Sequence, residues 1–257
     1  MRILITNDDG IDAPGLVALG EIARAMGDEV WTVAPAFEQS GVGHCVNYVH
    51  PTLVRQVGEH SWAVEGSPAD CVLAALHDIL PWRPDLILSG VNRGNNSAEN
   101  VLYSGTIGAA MEGALQGVRS IALSQFYGPG NRHLDDGFDA ARVWGERTIR
   151  AILDADLWGT GDYGTFYNVN FPPCPGTDVR GLRAAAQGFR SGDGFSVEPH
   201  LSPSGRRFLW VKGADQSRAT EPGSDAAVNL DGYVSITPLT ADLTRHDTLG
   251  ALADALS

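Results

Sequence analysis

Two adjacent carboxylates, Asp8 and Asp9, stand in the string Asn7-Asp8-Asp9-Gly10, just after the apolar run Ile3-Leu4-Ile5. Asn, Asp and Gly form turns readily, so the string reads first as a turn. Carboxylates held side by side repel each other, and a buried sheet edge sharpens that repulsion unless a cation relieves it. Two further polar stretches follow apolar runs in the same way. Residues 35–41 carry Ser40, and residues 89–94 carry Asn92. Asp8, Asp9, Ser40 and Asn92 together offer oxygen donors only, with no His or Cys among them. Hard oxygen donors favour Mg²⁺, Mn²⁺ or Ca²⁺ over zinc. One divalent cation held there would lower the pKa of a bound water and polarise a phosphoryl oxygen.

A second constellation is Ser104-Gly105-Thr106, placed before a run of small residues with helical character. Exposed N–H groups and the helix dipole make a phosphate site at such a start, and Gly lets a ligand approach closely. Ser or Thr there also reads as a plain N-cap. Asn96, between this start and Asn92, is a further hydrogen-bond donor for phosphate.

These residues need a frame. Ile3-Leu4-Ile5 predicts a buried strand, and Pro14 suits the first turn of a helix. Leu16, Leu19, Ile22, Ala23 and Met26 follow at helical spacing until Gly27, and Val30–Val33 reads as the next strand. A strand–helix–strand unit of this kind opens a parallel α/β sheet. β-like stretches are expected around Cys45–Val49, Leu53–Val57 and Trp62–Val64. Ser67-Pro68-Ala69-Asp70 combines an N-cap, a first-turn Pro and an acid at the third position, so a helix is expected from there to about Leu80. Asp85–Leu88 and Ser120–Leu123 read as buried strands, residues 136–154 as a helix, and Tyr167–Phe171, Phe208–Val211 and Tyr233–Ile236 as strands. Leu249, Leu252, Ala253 and Leu256 mark a short amphipathic helix. Residues 188–206 are rich in Gly, Ser and Pro. The fold class expected is α/β, a Rossmann-like parallel sheet with helices on both faces. One domain spans 1–257: a catalytic core at 1–125, a helical segment at 126–165, and a β-rich C-terminal extension at 166–257. The polar loops at 7–10, 35–41 and 89–94 would then meet at the carboxyl edge of the sheet, where open α/β sheets bind ligands.

Composition narrows the function. The 257 residues hold 18 Lys+Arg against 31 Asp+Glu, a formal charge of −13. Such a chain is repelled by phosphate backbones, which disfavours a nucleic-acid polymer as partner. An anionic small ligand would need a cation or a helix start to attract it. Three separated cysteines without a C-x-x-C pair exclude a disulfide scaffold and suit a reducing cytosol. The first apolar run is too short for a signal peptide, and no apolar run is long enough to span a membrane. The string Gly159-Thr160-Gly161-Asp162-Tyr163-Gly164 matches G-x-G-x-x-G but precedes a strand, so it fails the context of a dinucleotide site. That disfavours a dinucleotide-dependent oxidoreductase.

Asn7-Asp8-Asp9-Gly10 is similar to the D-x-D-G loop of haloacid dehalogenase-like phosphatases, but Asn7 stands where the nucleophile would be. An amide cannot act so, which favours direct attack by water. Over essentially its full length the chain resembles the survival protein SurE family, the metal-dependent 5′(3′)-nucleotidases. The motifs are N-D-D-G at 7–10, A-P-A-F-E-Q-S-G at 34–41, G-S-P-A-D-C-V at 66–72 and S-G-V-N-R-G-N-N at 89–96. L-Y-S-G-T-I-G-A-A-M-E-G-A at 102–114, N-V-N-F-P at 168–172 and G-Y-V-S-I-T-P-L at 232–239 continue the series. The resemblance implies a divalent metal on Asp8, Asp9, Ser40 and Asn92, and phosphate contacts near Asn96 and Ser104, Gly105 and Thr106. It implies hydrolysis of nucleoside monophosphates, with polyphosphate as a further substrate, in a cytoplasmic homodimer or homotetramer that exchanges its C-terminal extension. Asp8 or Asp9 would orient the attacking water. A non-catalytic nucleotide-binding, stress-regulatory protein with the same pocket is the alternative. The chain departs from the family at Phe37-Glu38-Gln39, where basic residues are usual, and at Pro203-Ser204-Gly205-Arg206.

Overall fold

The computed structural model describes residues 1–27, 29–159, 161–191, 194–213 and 215–257. In chain order the strands and helices are β1 (Arg2–Thr6), α1 (Pro14–Met26), β2 (Glu29–Pro35), β3 (Val54–Gly58), β4 (Ser61–Val64), α2 (Pro68–Ala74), β5 (Leu86–Arg93), α3 (Gly105–Leu115), β6 (Ser120–Gln125) and α4 (Asp139–Ala155). There follow β7 (Phe166–Phe171), β8 (Leu182–Ala184), β9 (Phe195–Leu201), β10 (Arg207–Gly213), α5 (Asp225–Leu230), β11 (Val234–Leu239) and α6 (His246–Leu256). A π-helical turn, Ala75–Ile79, prolongs α2, and a 3₁₀ segment, Ala98–Leu102, leads towards α3.

Nine strands form one sheet in the order β3-β4-β2-β1-β5-β6-β7-β11-β8. From β1 the chain winds outwards to β2 and β4 on one side and to β5, β6 and β7 on the other, with parallel pairing throughout. The crevice at such a reversal is where doubly wound sheets bind ligands. The expectation of a parallel sheet needs correction at both margins. β3 is antiparallel to β4, because the short turn between them can only join antiparallel neighbours, and β11 is antiparallel to β7. The C-terminal strands β7, β8 and β11 belong to this central sheet, whereas β9 and β10 form a separate antiparallel hairpin.

Alternation along the strands explains the two helical layers. Ile3, Ile5, Leu86 and Leu88 point to one face, in a cluster with Leu16 and Leu19 of α1 and Ile149 and Ile152 of α4. Leu4 and Ile87 point to the other, against Cys71 and Val72 of α2 and Ala109 of α3. A period of two along a strand, meeting helices on both sides, gives this split. Each fully buried Leu or Ile contributes roughly 1.5–3 kcal/mol.

Two local expectations differ from the structure. Residues 45–49 form no strand. Asn47 Oδ1 accepts from the N–H groups of Val49 and His50, so an Asx-type turn replaces a ladder there. Residues 89–94 are not a loop throughout, since β5 continues to Arg93 with a register shift against β6 between Ser89 and Asn92. Gly90 permits the shift: its φ is +137°, and a Cβ there would stand 2.1 Å from the Leu123 carbonyl oxygen. The Gly159–Gly164 string connects α4 to β7, a helix-to-strand link unlike a dinucleotide turn; its Thr160 lies outside the described residues. No helix among the described residues is long and apolar enough to cross a membrane.

Candidate active site

The loop after β1 is stapled by its own first residue. Asn7 is fully buried; its Nδ2 donates to the Gly10 carbonyl at 2.8 Å and its Oδ1 accepts from Gly10 N–H at 3.3 Å. Asn7 therefore shapes the turn that presents Asp8 and Asp9. The loop after β2 is tied to the same turn, because Gln39 N–H donates to the Asp8 carbonyl at 2.7 Å and Ile11 N–H to the Pro35 carbonyl at 2.8 Å. Ser40 follows at once, its hydroxyl donating to Glu38 at 2.8 Å. A second clamp holds this loop on α3: His44 Nε2 meets Glu112 Oε2 at 2.7 Å, and Gly43 N–H donates to the Tyr103 carbonyl. Burial pushes Glu112 up, but hydrogen bonds with His44 and Gln116 outweigh it and hold the acid below its usual range.

Asp8 is 3% exposed, and its Oδ1 accepts from the Thr106 hydroxyl at 2.6 Å. Burial, reinforced by the neighbouring Asp9 charge, lifts its pKa from 3.8 to about 6 against the pull of the Thr106 hydrogen bond. Burial likewise raises Asp9, with Glu38 adding repulsion, although its Oδ2 accepts from Arg93 N–H at 3.1 Å. Among the described residues neither carboxylate forms a salt bridge. A buried acid beside a half-buried one, with only the Arg93 charge acting against their repulsion, is a costly arrangement that a bound cation would relieve.

Space has been left for Asp8. A Cβ on Gly105 would stand 2.9 Å from Asp8 Cβ and 3.1 Å from its Oδ2, so only Gly fits at that start of α3. Ser104 is the N-cap of α3, its Oγ accepting from Ile107 N–H at 3.1 Å. Thr106 is fully buried inside the first turn and is not the cap; it faces Asp8.

Asp8, Ser40, Asn92, Asn96 and Ser104 line one cavity of about 770 Å³, with Arg93 at its border. Asp9, Ser40, Arg93 and Tyr127 line an adjoining cavity of about 490 Å³. The acid pair thus stands at the wall between two cavities. Gly105 and Thr106 do not line the first; they lie behind Asp8. Asn92 Nδ2 donates to the Gly94 carbonyl at 2.8 Å, which fixes its amide at the rim. Asn96 Nδ2 donates to Ser124 Oγ at 2.9 Å and to Thr106 Oγ1 at 3.4 Å. A buried chain of donors therefore runs from Asn96 through Thr106 to Asp8.

Asn168 and Asn170 belong to the site although sequence reasoning gave them no role. Asn96 N–H donates to Asn170 Oδ1 at 2.7 Å, and its carbonyl accepts from Asn168 Nδ2 at 2.7 Å and Asn170 Nδ2 at 3.4 Å. Both amides rise from the same face of β7, as their i, i+2 spacing requires, and both are fully buried. That spacing was the available signal. Arg93, next to Asn92, was adjacent to a named residue; the His44–Glu112 pair, 68 positions apart, left no local mark.

The oxygen set suits a hard divalent cation. Among the described residues no group of three or more His, Cys, Asp and Glu could hold a metal, so a cation at the two acids would need neutral oxygens, such as those of Ser40 and Asn92, and water, as Mg²⁺ sites commonly do.

Comparison with known proteins follows the same outline. The family model described as survival protein SurE matches residues 3–193. A protein named 5′-nucleotidase SurE from Ruegeria pomeroyi is 64% identical over 260 residues, covering 100% of both chains. Another of that name, from Cereibacter sphaeroides, is 64% identical over 256 residues, covering 98% of each. The crystal structure of the SurE protein from Aquifex aeolicus superposes with a TM-score of 0.82 at 34% identity, covering 100% of both chains.

Proposed function

The chain belongs to the survival protein SurE family, and on that premise we propose that it is a metal-dependent phosphomonoesterase acting on nucleoside 5′-monophosphates. The observation that carries this reading is the adjacent pair of buried Asp8 and half-buried Asp9, neither in a salt bridge among the described residues, beside the start of α3. Asp8, Asp9, Ser40 and Asn92 hold one divalent cation. When bound, that ion supplies Lewis acidity towards the phosphoryl group and lowers the pKa of a water.

The chain's own residues do the rest. The Thr106 hydroxyl fixes Asp8 in its ionised form and orientation. The carboxylate pair orients the attacking water and receives its proton. Ser104 and Asn96 mark the end of the cavity where the phosphoryl oxygens lie, with the dipole of α3 favouring their charge. Asn7 is spent on the turn and offers no nucleophile, so water attacks directly.

The finer reading includes 3′-monophosphates and polyphosphate as further substrates. The chain works as one domain in the cytoplasm, a compartment that its three free cysteines support. α6 has no buried residue, and Leu249, Leu252 and Leu256 are exposed along it. An isolated helix of 11 residues is marginal in water. A second copy of the chain covers α6 in a homodimer or homotetramer by exchange of the C-terminal extension.

The test is release of inorganic phosphate from a panel of nucleoside monophosphates, with added divalent cation and after chelation. Release that depends on the cation is expected. Binding of monophosphates without release under either condition would instead support the non-catalytic nucleotide-binding reading.

A further inference from the structure

Between β2 and β3, residues 36–53 form no helix or strand, and Ser40 stands in that stretch. Ser40 is exposed, and its hydroxyl donates to Glu38, which is exposed as well. Gly41 and Gly43 take positive φ angles of +80° and +58°, and a Cβ on Gly41 would meet nothing within 4 Å. A loop with two glycines and little contact gives up much conformational freedom when it is ordered. Something must therefore hold it if the Ser40 hydroxyl is to stand in register with Asp8 and Asp9.

Two anchors bracket Ser40. Before it, Gln39 N–H donates to the Asp8 carbonyl at 2.7 Å. After it, Gly43 N–H donates to the Tyr103 carbonyl at 2.9 Å, and His44 Nε2 meets Glu112 Oε2 at 2.7 Å. The second anchor belongs to α3. Gly105, Gly108 and Glu112 share one face of that helix, as their i, i+3, i+7 spacing requires. Gly105 leaves room for Asp8. Gly108 leaves room for the loop, because a Cβ there would stand 2.4 Å from the Gly43 carbonyl oxygen and 3.0 Å from His44 Cα. Glu112 completes the row. It is 5% exposed, and its other oxygen accepts from Gln116 Nε2 at 2.7 Å. A buried carboxylate with both oxygens bonded is a fixed point on the helix, and His44 ties the loop to it.

We infer that His44 and Glu112 are positioning residues of the metal centre: their bond seats the Ser40 loop on α3 and so keeps the Ser40 hydroxyl in register with Asp8, which the same face of α3 packs against. The inference rests on the reading of Asp8, Asp9, Ser40 and Asn92 as the holders of one divalent cation, and adds to it the pair that sets one of those oxygens in place. Neither His44 nor Glu112 lines either cavity beside the acid pair, so both act through the loop. The arrangement accounts for a carboxylate placed in the buried interior of α3, away from any cavity that a substrate could enter. Residues that orient metal ligands without touching the metal commonly carry about 10–100-fold in affinity.

The experiment is a double-mutant cycle on Mn²⁺ affinity, read by electron paramagnetic resonance in the full chain, with a melting curve for each variant. His44→Ala should weaken Mn²⁺ binding about tenfold. Ser40→Ala should weaken it at least as much, and the double variant no further than Ser40→Ala alone, because His44 acts through Ser40. His44→Gln keeps an amide donor towards Glu112 and should recover most of the affinity lost in His44→Ala. Glu112→Ala should lose as much as His44→Ala; should it fail to fold, the four chains that differ at His44 and Ser40 still decide the matter. A His44→Ala variant that melts lower yet binds Mn²⁺ as tightly as the unaltered chain would overturn the inference and leave only a structural clamp. An equal tenfold loss from His44→Ala in the Ser40→Ala background would overturn it too, since His44 would then act elsewhere. Absence of Mn²⁺ binding by the unaltered chain would be a different failure, that of the metal reading itself, and the inference would fall with it.

Discussion

Replacing Asp8 by Asn should make the metal-free protein more stable while removing its activity. Asp8 ionises at about 6 in the folded chain against 3.8 ordinarily, chiefly because it is buried. Well below its ordinary value of 3.8 the group is protonated in both the folded and unfolded chain and contributes no difference. As pH rises from about 4 to about 6, the unfolded chain ionises first, and the fold loses stability. Above that window the loss is complete and amounts to roughly 3 kcal/mol. For a chain of this size it corresponds to a melting temperature lower by on the order of 5–10 °C. Asp9, also raised by burial, acts in the same sense. Asn is isosteric, and its Oδ1 can still accept from Thr106, so Asp8→Asn removes the charge without removing the hydrogen bond. Thermal melting in chelator from pH 4 to pH 8 reads the effect. The two proteins should melt alike near pH 4, and the variant should melt higher at pH 8. Added Mn²⁺ should raise the melting temperature of the parent alone, because only the parent's folded state binds it. Parallel pH profiles, or a variant less stable at pH 8, would refute the view of Asp8 as a buried charge awaiting a cation.

Thr106→Ala removes the donor to Asp8, and a hydrogen bond to a charged group is worth about 1.5–3 kcal/mol. The loss should raise the Asp8 pKa further and weaken divalent-ion binding at neutral pH by about tenfold or more, measured by metal titration. Gly105→Ala puts a methyl group 2.9 Å from Asp8 Cβ. Despite the better helix propensity of Ala, kcat should fall by on the order of 100-fold through displacement of Asp8, read in steady-state kinetics alongside a melting curve. Asn170→Ala leaves the buried Asn96 N–H without its acceptor, at a cost of about 1–3 kcal/mol. Weaker inhibition by inorganic phosphate should accompany the lowered melting temperature.

The order of strands and helices from β1 to β7 was legible because each element carries its own period and its own punctuation. Pro14 and Gly27 bracket α1, and Ser67, Pro68 and Asp70 form the capping box that begins α2. The outer strands were harder. β8 is three residues long, and β9 buries none of its residues: its alternating Phe195, Val197 and Leu201 stay exposed, and Pro199 interrupts them. The antiparallel placement of β11 is a tertiary choice made against β7 and leaves no trace in its composition. In the site, Asp8, Ser40, Asn92, Asn96 and Ser104 were named from position after a strand or before a helix, and they line one cavity. What stayed hidden were relations between distant segments. The Thr106–Asp8 hydrogen bond spans 98 positions and the Asn96–Asn170 bond 74. Thr106 reads as a cap or phosphate ligand in sequence because both roles use the same helix start. Only packing shows that its hydroxyl turns inwards to Asp8.

Manganese titration followed by electron paramagnetic resonance tests the central claim most directly, since free and protein-bound Mn²⁺ differ in signal. One ion should bind per chain of the unaltered protein, and both Asp8→Asn and Asp9→Asn should abolish or greatly weaken that binding while keeping a cooperative melt. Undiminished binding of one ion by both variants would contradict the account, because the cation would then lie elsewhere than between the two carboxylates.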